Sequence, residues 1–588
     1  MNEPTYVYLR VDTPPHISIS QFGRRLSQGD STLLILGDIF SIHGKHFSSP
    51  NDPEILSTLF TALQNNTLNA WSHLKGQCSC IWINPDKIEI FRSALSPHLL
   101  FFSRNQVSDQ LLALTDSPFS FSESYAKQFV LDLPTLQFSS RLTPFQGISR
   151  VPPASVVTLK LDTEPHIHLF EVEPYPLVEK ETSFAETSEK LREQLKNILD
   201  WHLKKGGPVF AELSGGLDSS FVASFLSDLS PSPVRALMYA FRKHPSHRFS
   251  EECAQIVAQK KNIQLQVFDS SDIAPTDLAK LAPFQNEPVD LFWQGTLFGP
   301  ICRDLVQAGS LLFTGFGCDQ LLMRNNRIVQ RLADQKGSWN TLPIVKDIAR
   351  ALNRPALNFS FQFLLSRLPE KTLVRLLDLT RSIKINPFKI DELLPEITKT
   401  ERISWFVKNG APLSGADLFT FLEEASGTCH FSLNYLIAPQ YVIQPYLESK
   451  SVQYIHPFCD SRMIEFVSKE VPYHFIHDFK NPYKHLLREA MRGITPEEVR
   501  TRKKDEFSFD GYFFSVLKTN QDFLRSLLEE AARSYPDWID SKSLLDSFES
   551  MLFGMSSNSE SKLIRLMSYL IWKRNFTFYL KQTRGTAK

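Results

Sequence analysis

The sequence predicts an α/β protein in two parts: a β-rich N-terminal portion, then a parallel-sheet α/β domain ending in a helical C-terminal portion. Three observations predict it. Residues 1–172 hold short runs with strand periodicity, at 5–11, 32–39, 78–82, 88–92 and 156–161. Residues 208–213, 234–241, 264–268 and 310–314 are apolar strand-like runs separated by helical patterns at 249–261 and 296–307, an alternation that argues for a parallel sheet covered on both faces. Residues 325–580 are Phe- and Leu-rich segments at helical spacing, most of which serve packing.

Each part has its own justification. The chain of 588 residues is too long for one ordinary core and suits two or three domains. The Pro/Glu-rich stretch 171–181 breaks the strand pattern, so the boundaries read as 1–172, a linker at 173–182, and 183–588. After the linker, Leu191, Leu195, Ile198, Leu199 and His202 recur at helical spacing and open the second domain.

Composition excludes several classes. Lysine and arginine number 64, as do aspartate and glutamate, so the net charge is zero and a nucleic-acid substrate is disfavoured. No apolar run reaches the length of about 18 residues that a spanning helix needs, so no membrane partner is expected. The start, Met1-Asn2-Glu3-Pro4-Thr5, has neither the basic segment nor the apolar core of a secretory signal. The seven cysteines suit a reducing compartment, and a cytoplasmic location is expected. Cys78 and Cys80 share one face of a strand at period two and read as core.

Chemistry concentrates where the run 208–213 gives way to a helix. Leu213-Ser214-Gly215-Gly216-Leu217-Asp218-Ser219-Ser220 places two glycines, three hydroxyls and a carboxylate at a helix N-terminus. Backbone N–H groups and the helix dipole favour an anion there, and glycine lets the backbone approach it closely. The alternative is a plain Gly-Ser turn. The pattern lacks the Gly-Lys-Ser/Thr of the Walker loop. It resembles the pyrophosphate loop of enzymes that split ATP into AMP and pyrophosphate, with Asp218 placed to hold Mg2+. A second loop, Thr314-Gly315-Phe316-Gly317-Cys318-Asp319-Gln320, also follows an apolar strand and brings a second carboxylate, Asp319. Alone it is as readily a turn. The C-terminal series is His456-Pro457-Phe458-Cys459-Asp460, then Lys484-His485-Leu486-Leu487-Arg488, then Thr495-Pro496-Glu497-Glu498-Val499, then Arg502-Lys503-Lys504-Asp505-Glu506-Phe507. Its last basic cluster, taken alone, reads as a solvated face.

Together, the two loops and this series resemble the asparagine synthetase superfamily. The resemblance implies an N-terminal Ntn-hydrolase-like αββα domain before the pyrophosphate-loop domain. Leu74-Lys75-Gly76-Gln77-Cys78-Ser79-Cys80 is similar to a strand of the family's glutaminase domain, and Phe145-Gln146-Gly147-Ile148 to its final turn. By the same match, ATP and Mg2+ are the cofactors, and Asp218 and Asp319 are the metal ligands. Ser214, Gly215, Gly216, Leu217, Ser219 and Ser220 form the pyrophosphate cradle, with Gly315 and Gly317 on the facing loop. Leu213 and Tyr239 fall where the family holds adenine, and Glu287 falls near a family acidic position in the substrate pocket. Lys504 falls on the lysine that stabilises the adenylating transition state, where a fixed cation meets charge developing on phosphorus.

Two departures bear on the branch. A working glutaminase needs an N-terminal cysteine, whose thiolate is the nucleophile; Asn2 is none, so the first domain is expected to be catalytically inactive. Phe316 stands where asparagine synthetases carry an acidic residue and β-lactam synthetases a tyrosine; it is expected to line an apolar substrate pocket instead. The branch these departures and the Lys484–Phe507 series look most like is the lasso peptide cyclases. Such enzymes adenylate an Asp or Glu side chain of a precursor peptide, whose own N-terminal amine closes a macrolactam. The implied partners are that peptide, a leader peptidase and a leader-binding protein. An ammonia-using asparagine synthetase, a β-lactam synthetase-like enzyme and a non-catalytic scaffold stay open. A tRNA-modifying enzyme is disfavoured by the neutral charge.

Overall fold

The computed structural model describes residues 8–10, 23–103, 106–115, 119–131, 141–160, 163–170, 178, 182–242, 245–269, 276–280, 282–289, 292–322, 336–351, 355–366, 443–478, 481–503, 510–554 and 560–585. Asn2, Lys504 and all of the expected linker but Val178 and Thr182 lie outside them.

The N-terminal part is β-rich, as expected, and its strands pair antiparallel. A seven-stranded sheet is built on Ser31–Ile42, Leu74–Asn84 and Lys87–Arg92, flanked by Gly23–Gln28 and Ser155–Leu159. Period-two alternation divides these strands cleanly. Leu33, Ile35, Cys78, Cys80 and Trp82 face the helices Glu54–Asn65 and Thr67–Ser72. Leu34, Leu36, Ile81, Ile83 and Ile90 face a second, four-stranded sheet through Leu100, Phe102 and Val107. Beyond that sheet, Phe101 packs on the helices Leu111–Leu114 and Glu123–Leu131, completing a helix–sheet–sheet–helix stack. Cys78 and Cys80 are fully buried with sulfurs 4.0 Å apart.

The second part opens with the helix Phe184–Leu203, whose N-cap Ser183 accepts from Glu186 N at 3.0 Å. Five parallel strands follow in the spatial order Gln264–Asp269, Arg235–Ala240, Val209–Glu212, Leu311–Phe313, Gln453–Ile455. One face carries Val209, Ala211, Leu213, Leu311, Phe313 and Ile455 against the helices Leu217–Leu229, Ser461–Glu470 and His485–Ala490. The other carries Phe210, Leu237, Leu312 and Tyr454 against the helix Phe292–Leu305. The order reverses between Val209–Glu212 and Leu311–Phe313. The carboxyl ends of strands at such a switch point are where open α/β sheets hold ligands.

The C-terminal helices Asp510–Thr519, Gln521–Ser534, Ser541–Leu552 and Glu560–Gly585 complete the molecule. They share one core with the N-terminal part, in which Tyr125, Phe129 and Phe145 meet Tyr569, Trp572 and Phe576. Among the described residues no helix is long and apolar enough to cross a membrane.

Candidate active site

The two loops leaving the central strands meet at the switch point. Leu213 N still bonds Leu237 O at 2.8 Å, and the chain then turns through Ser214–Gly216 into the helix Leu217–Leu229. Gly215 has φ +73°, and a Cβ there would lie 2.0 Å from Ser250 O, so both backbone and space demand glycine. Gly315 is held just as tightly: its Cβ would meet Ser219 N at 2.5 Å and Asp218 C at 2.7 Å. Ser214 Oγ and Ser219 Oγ are 2.9 Å apart, and Ser214 N donates to Ser219 Oγ at 3.1 Å. Ser220 Oγ is buried without a hydrogen-bond partner.

Asp218, in the first turn of that helix, and Asp319, in the first turn of Cys318–Leu322, converge on one cation. Lys484 Nζ donates to Asp218 Oδ1 and Oδ2 at 2.5 and 2.6 Å and lies 2.8 Å from Asp319 Oδ1. The lysine is buried and sits in the left-handed region at φ +55°, a strained position for a side-chain-bearing residue. Burial opposes its charge, yet the surrounding Cys318, Asp218 and Asp319 hold its pKa above the ordinary value. Burial, with Asp319 alongside, raises the Asp218 carboxyl against the pull of Lys484. Tyr483 OH also donates to Asp319.

Arg488 holds this arrangement in place. Its guanidinium donates to the carbonyls of Tyr483 (2.7 Å), Arg502 (2.8 Å) and Arg500. One side chain thereby fixes both the segment carrying Lys484 and the segment leading to Lys503. Arg502 in turn donates to Gly215 O and to Ser250 Oγ (3.3 Å), pinning the outer wall of the pyrophosphate loop.

On the opposite face of the sheet the carboxyl edge carries a polar row. Alternation puts Tyr239, Glu212, Thr314 and His456 one step beyond Leu237, Phe210, Leu312 and Tyr454. Tyr454 OH donates to Glu212 Oε1 at 3.0 Å, Tyr239 OH lies 2.8 Å from Cys302 Sγ, and Thr314 Oγ1 lies 2.7 Å from His456 Nδ1. Burial, against the Tyr454 hydrogen bond, pushes Glu212 up to about 7. Phe316 N donates to Thr314 Oγ1 at 3.1 Å, and its ring meets that of His456 edge-on at 5.7 Å.

The structure thus brings Ser214, Gly215, Gly216, Leu217, Asp218, Ser219, Ser220, Gly315, Gly317 and Asp319 together at the carboxyl ends of the two central strands. Leu213 adjoins them through backbone only, because its side chain is fully buried in the core. Tyr239 belongs to the polar row. Phe316 packs with Leu95, Leu321, Cys459 and Ile464, so it also seals the contact between the two parts. Glu287 lies elsewhere, ion-paired to Arg150 of the N-terminal part at 2.5 Å. Lys504 follows the pinned Arg502 in sequence but is not among the described residues. Lys484 and Glu212 received no role from the sequence. Period two over 209–213 signals that Glu212 leaves the core face; nothing local signals that Lys484 meets Asp218 across 266 residues.

The asparagine synthase family profile matches residues 190–574, about two thirds of the chain, and the chain belongs to that family. No curated protein sequence matches it. Among solved structures it is similar to a Bacillus subtilis glutamine phosphoribosylpyrophosphate amidotransferase complexed with ADP and GMP (11% identity, 51% of this chain, 60% of that chain, TM-score 0.17). It is also similar to a glutamine-dependent NAD+ synthetase from Acinetobacter baumannii in complex with ADP (15% identity, 46% of this chain, 66% of that chain, TM-score 0.19). The matches span less than two thirds of either protein.

Proposed function

We propose that this member of the asparagine synthase family adenylates a carboxylate with ATP and joins it to an amine borne by the substrate, closing a macrolactam within a precursor peptide. The observation that supports the ATP half most directly is the convergence of Asp218 and Asp319 on Lys484, beside a glycine loop at a helix N-terminus. Lys484 sits where phosphate charge would enter, and the N–H groups of the first turn of the Leu217–Leu229 helix would face it.

The residues present fit Mg2+. Two carboxylates from adjacent strand ends, with phosphate oxygens and water, are the usual set for that ion on a nucleotide. Among the described residues no cluster of three ligating side chains exists, so ATP and water would have to supply the remaining oxygens. Bound there by Asp218 and Asp319, the ion would neutralise charge on the phosphates. The chain's own groups do the rest. Gly215 and Gly216 let backbone N–H groups reach the pyrophosphate, Ser214 and Ser219 donate hydroxyls, and Lys484 balances charge freed from the aspartates.

The peptide half is supported by position 316. Phenylalanine neither accepts a proton nor attracts ammonium, so it suits an acceptor amine that the substrate delivers by tethering. Tethering replaces a bimolecular encounter by an oriented one. ATP–pyrophosphate exchange tests the reading. Exchange should require an Asp- or Glu-containing peptide with a free N-terminus and vanish in Asp218→Asn. Exchange driven by free aspartate, with asparagine made from ammonium, would replace the macrolactam reading.

A further inference from the structure

Glu212 is the carboxylate in the polar row at the sheet's carboxyl edge. It lies one residue before Leu213-Ser214 and level with Thr314, which precedes Gly315-Phe316. It is therefore beside both loops, on the face away from the Leu217–Leu229 helix. The titratable groups around it are Tyr239 on the neighbouring strand, Tyr454 on the edge strand and Cys302 on the overlying helix. Burial raises all three above their ordinary values, so each is protonated and neutral. His456, pushed down to about 3 by burial, is neutral as well, and its Nε2 is buried without a hydrogen-bond partner. Among the described residues no ion pair includes Glu212. A partly buried carboxylate surrounded by neutral groups gains most from a partner that brings N–H donors and positive charge.

That partner matches the missing half of the reaction. Position 316 carries no proton acceptor, yet its ring adjoins the same row through His456. We propose that Glu212 binds the attacking amine and takes its proton, with Tyr454 as the positioning residue that fixes the carboxylate. The assignment rests on the amide-forming reading above. In the step, the amine nitrogen bonds to the acyl carbon of the adenylate and the acyl carbon–oxygen bond to AMP breaks. The proton leaving nitrogen goes to Glu212, and AMP departs with the electron pair. The Tyr454 hydroxyl, 3.0 Å from Oε1, stabilises the ionised carboxylate. The substrate class that follows is a primary amine, as at a peptide N-terminus.

Glycinamide is the probe for the amine site, read by saturation-transfer NMR on full-length protein with Mg2+ and a non-hydrolysable ATP analogue at pH 8. Glu212→Gln should weaken glycinamide at least tenfold, and Glu212→Asp should recover part of the loss. Equal glycinamide affinity in wild type and Glu212→Gln would overturn the assignment. With an exchange-competent peptide, Glu212→Gln should lower the ratio of amide formed to pyrophosphate exchanged by about a hundredfold, the usual worth of a general base. Tyr454→Phe should move the rising limb of the amide-formation pH profile upward, a shift that lost packing alone does not produce. An unchanged ratio or an unmoved limb would also overturn it. If no peptide supports exchange, the macrolactam reading fails, and the glycinamide measurement still decides Glu212.

Discussion

Lys484 and Glu212 are the two residues on which the site turns, and they are opposites: a buried cation with two carboxylates, and a carboxylate with no cation among the described residues. Lys484→Met should leave Asp218 and Asp319 facing each other without compensation. Breaking a buried pair costs about 3 kcal/mol, the lower end of the usual range because Asp319 is half-exposed. Mg2+ should then raise the melting temperature of the variant more than that of wild type; an equal increment in both would show that the aspartates do not share an ion. Glu212 carries a different signature. Its folded pKa of about 7 lies above its free value of 4.5, so the protein holds that proton more tightly than the unfolded chain does. Its contribution is therefore best at low pH and is lost as pH rises from 4.5 through 7. Glu212→Gln should raise the melting temperature at pH 8 and change it little at pH 4, as scanning calorimetry would register. These two residues also mark what the sequence could not disclose. Ser214–Ser220, Asp218 and Asp319 are legible because one loop and one turn carry their chemistry locally. Lys484 depends on a left-handed backbone residue and on a partner 266 positions away, and a lone lysine announces neither.

At the scale of elements, the site is a set of strand ends held in register by short, tight contacts. Gly315→Ala should press its Cβ onto Ser219 N and the Asp218 carbonyl carbon and displace the pyrophosphate loop. ATP affinity should fall at least tenfold by titration calorimetry, a modest consequence of shifting one bound anion, while the melting temperature falls less than for Gly215→Ala, where positive φ adds strain. Arg488 links three segments through carbonyls, so Arg488→Ala should speed hydrogen exchange across both 483–487 and 499–503. Four of the five parallel strands were legible, since apolar runs bounded by helical patterns identify them. The fifth, Gln453–Ile455, is three residues long and is defined by pairing with Leu311–Phe313 far back in the chain. Local pattern carries no trace of such pairing.

For the whole molecule, the N-terminal part is joined to the active site by buried charge as well as by apolar packing. Asp38 accepts from Lys205 Nζ at 2.8 Å and lies 3.9 Å from His202, whose Nε2 lies 3.5 Å from Asp460. Gln77 Nε2 donates to Cys459 O at 2.9 Å, one residue from Asp460. Burial lowers the pKa of His202, so protonating it below its free value of about 6.5 costs folded-state stability. Despite burial, Lys205 holds Asp38 low and Arg462 holds Asp460 low; their contribution is present above about pH 4 and lost below it. Acidification from pH 7 to pH 5 should therefore loosen this contact, with His98, which burial beside Asp38 pushes down to about 4, acting in the same direction as His202. Hydrogen exchange in Leu74–Asn84 and Ser461–Glu470 should show it, and His202→Gln should reduce the difference. The shared aromatic core makes the parts inseparable: residues 183–588 expressed alone should aggregate, since Trp572 and Phe576 would lose Phe145 and its neighbours.

The most direct test of adenylation follows oxygen. A peptide whose side-chain carboxyl is labelled with 18O is incubated with the protein, Mg2+ and ATP, and the nucleotide product is examined by 31P NMR. Activation by Asp218, Asp319 and Lys484 should give AMP bearing one 18O from the carboxylate. ADP as product, or AMP free of label, would contradict it.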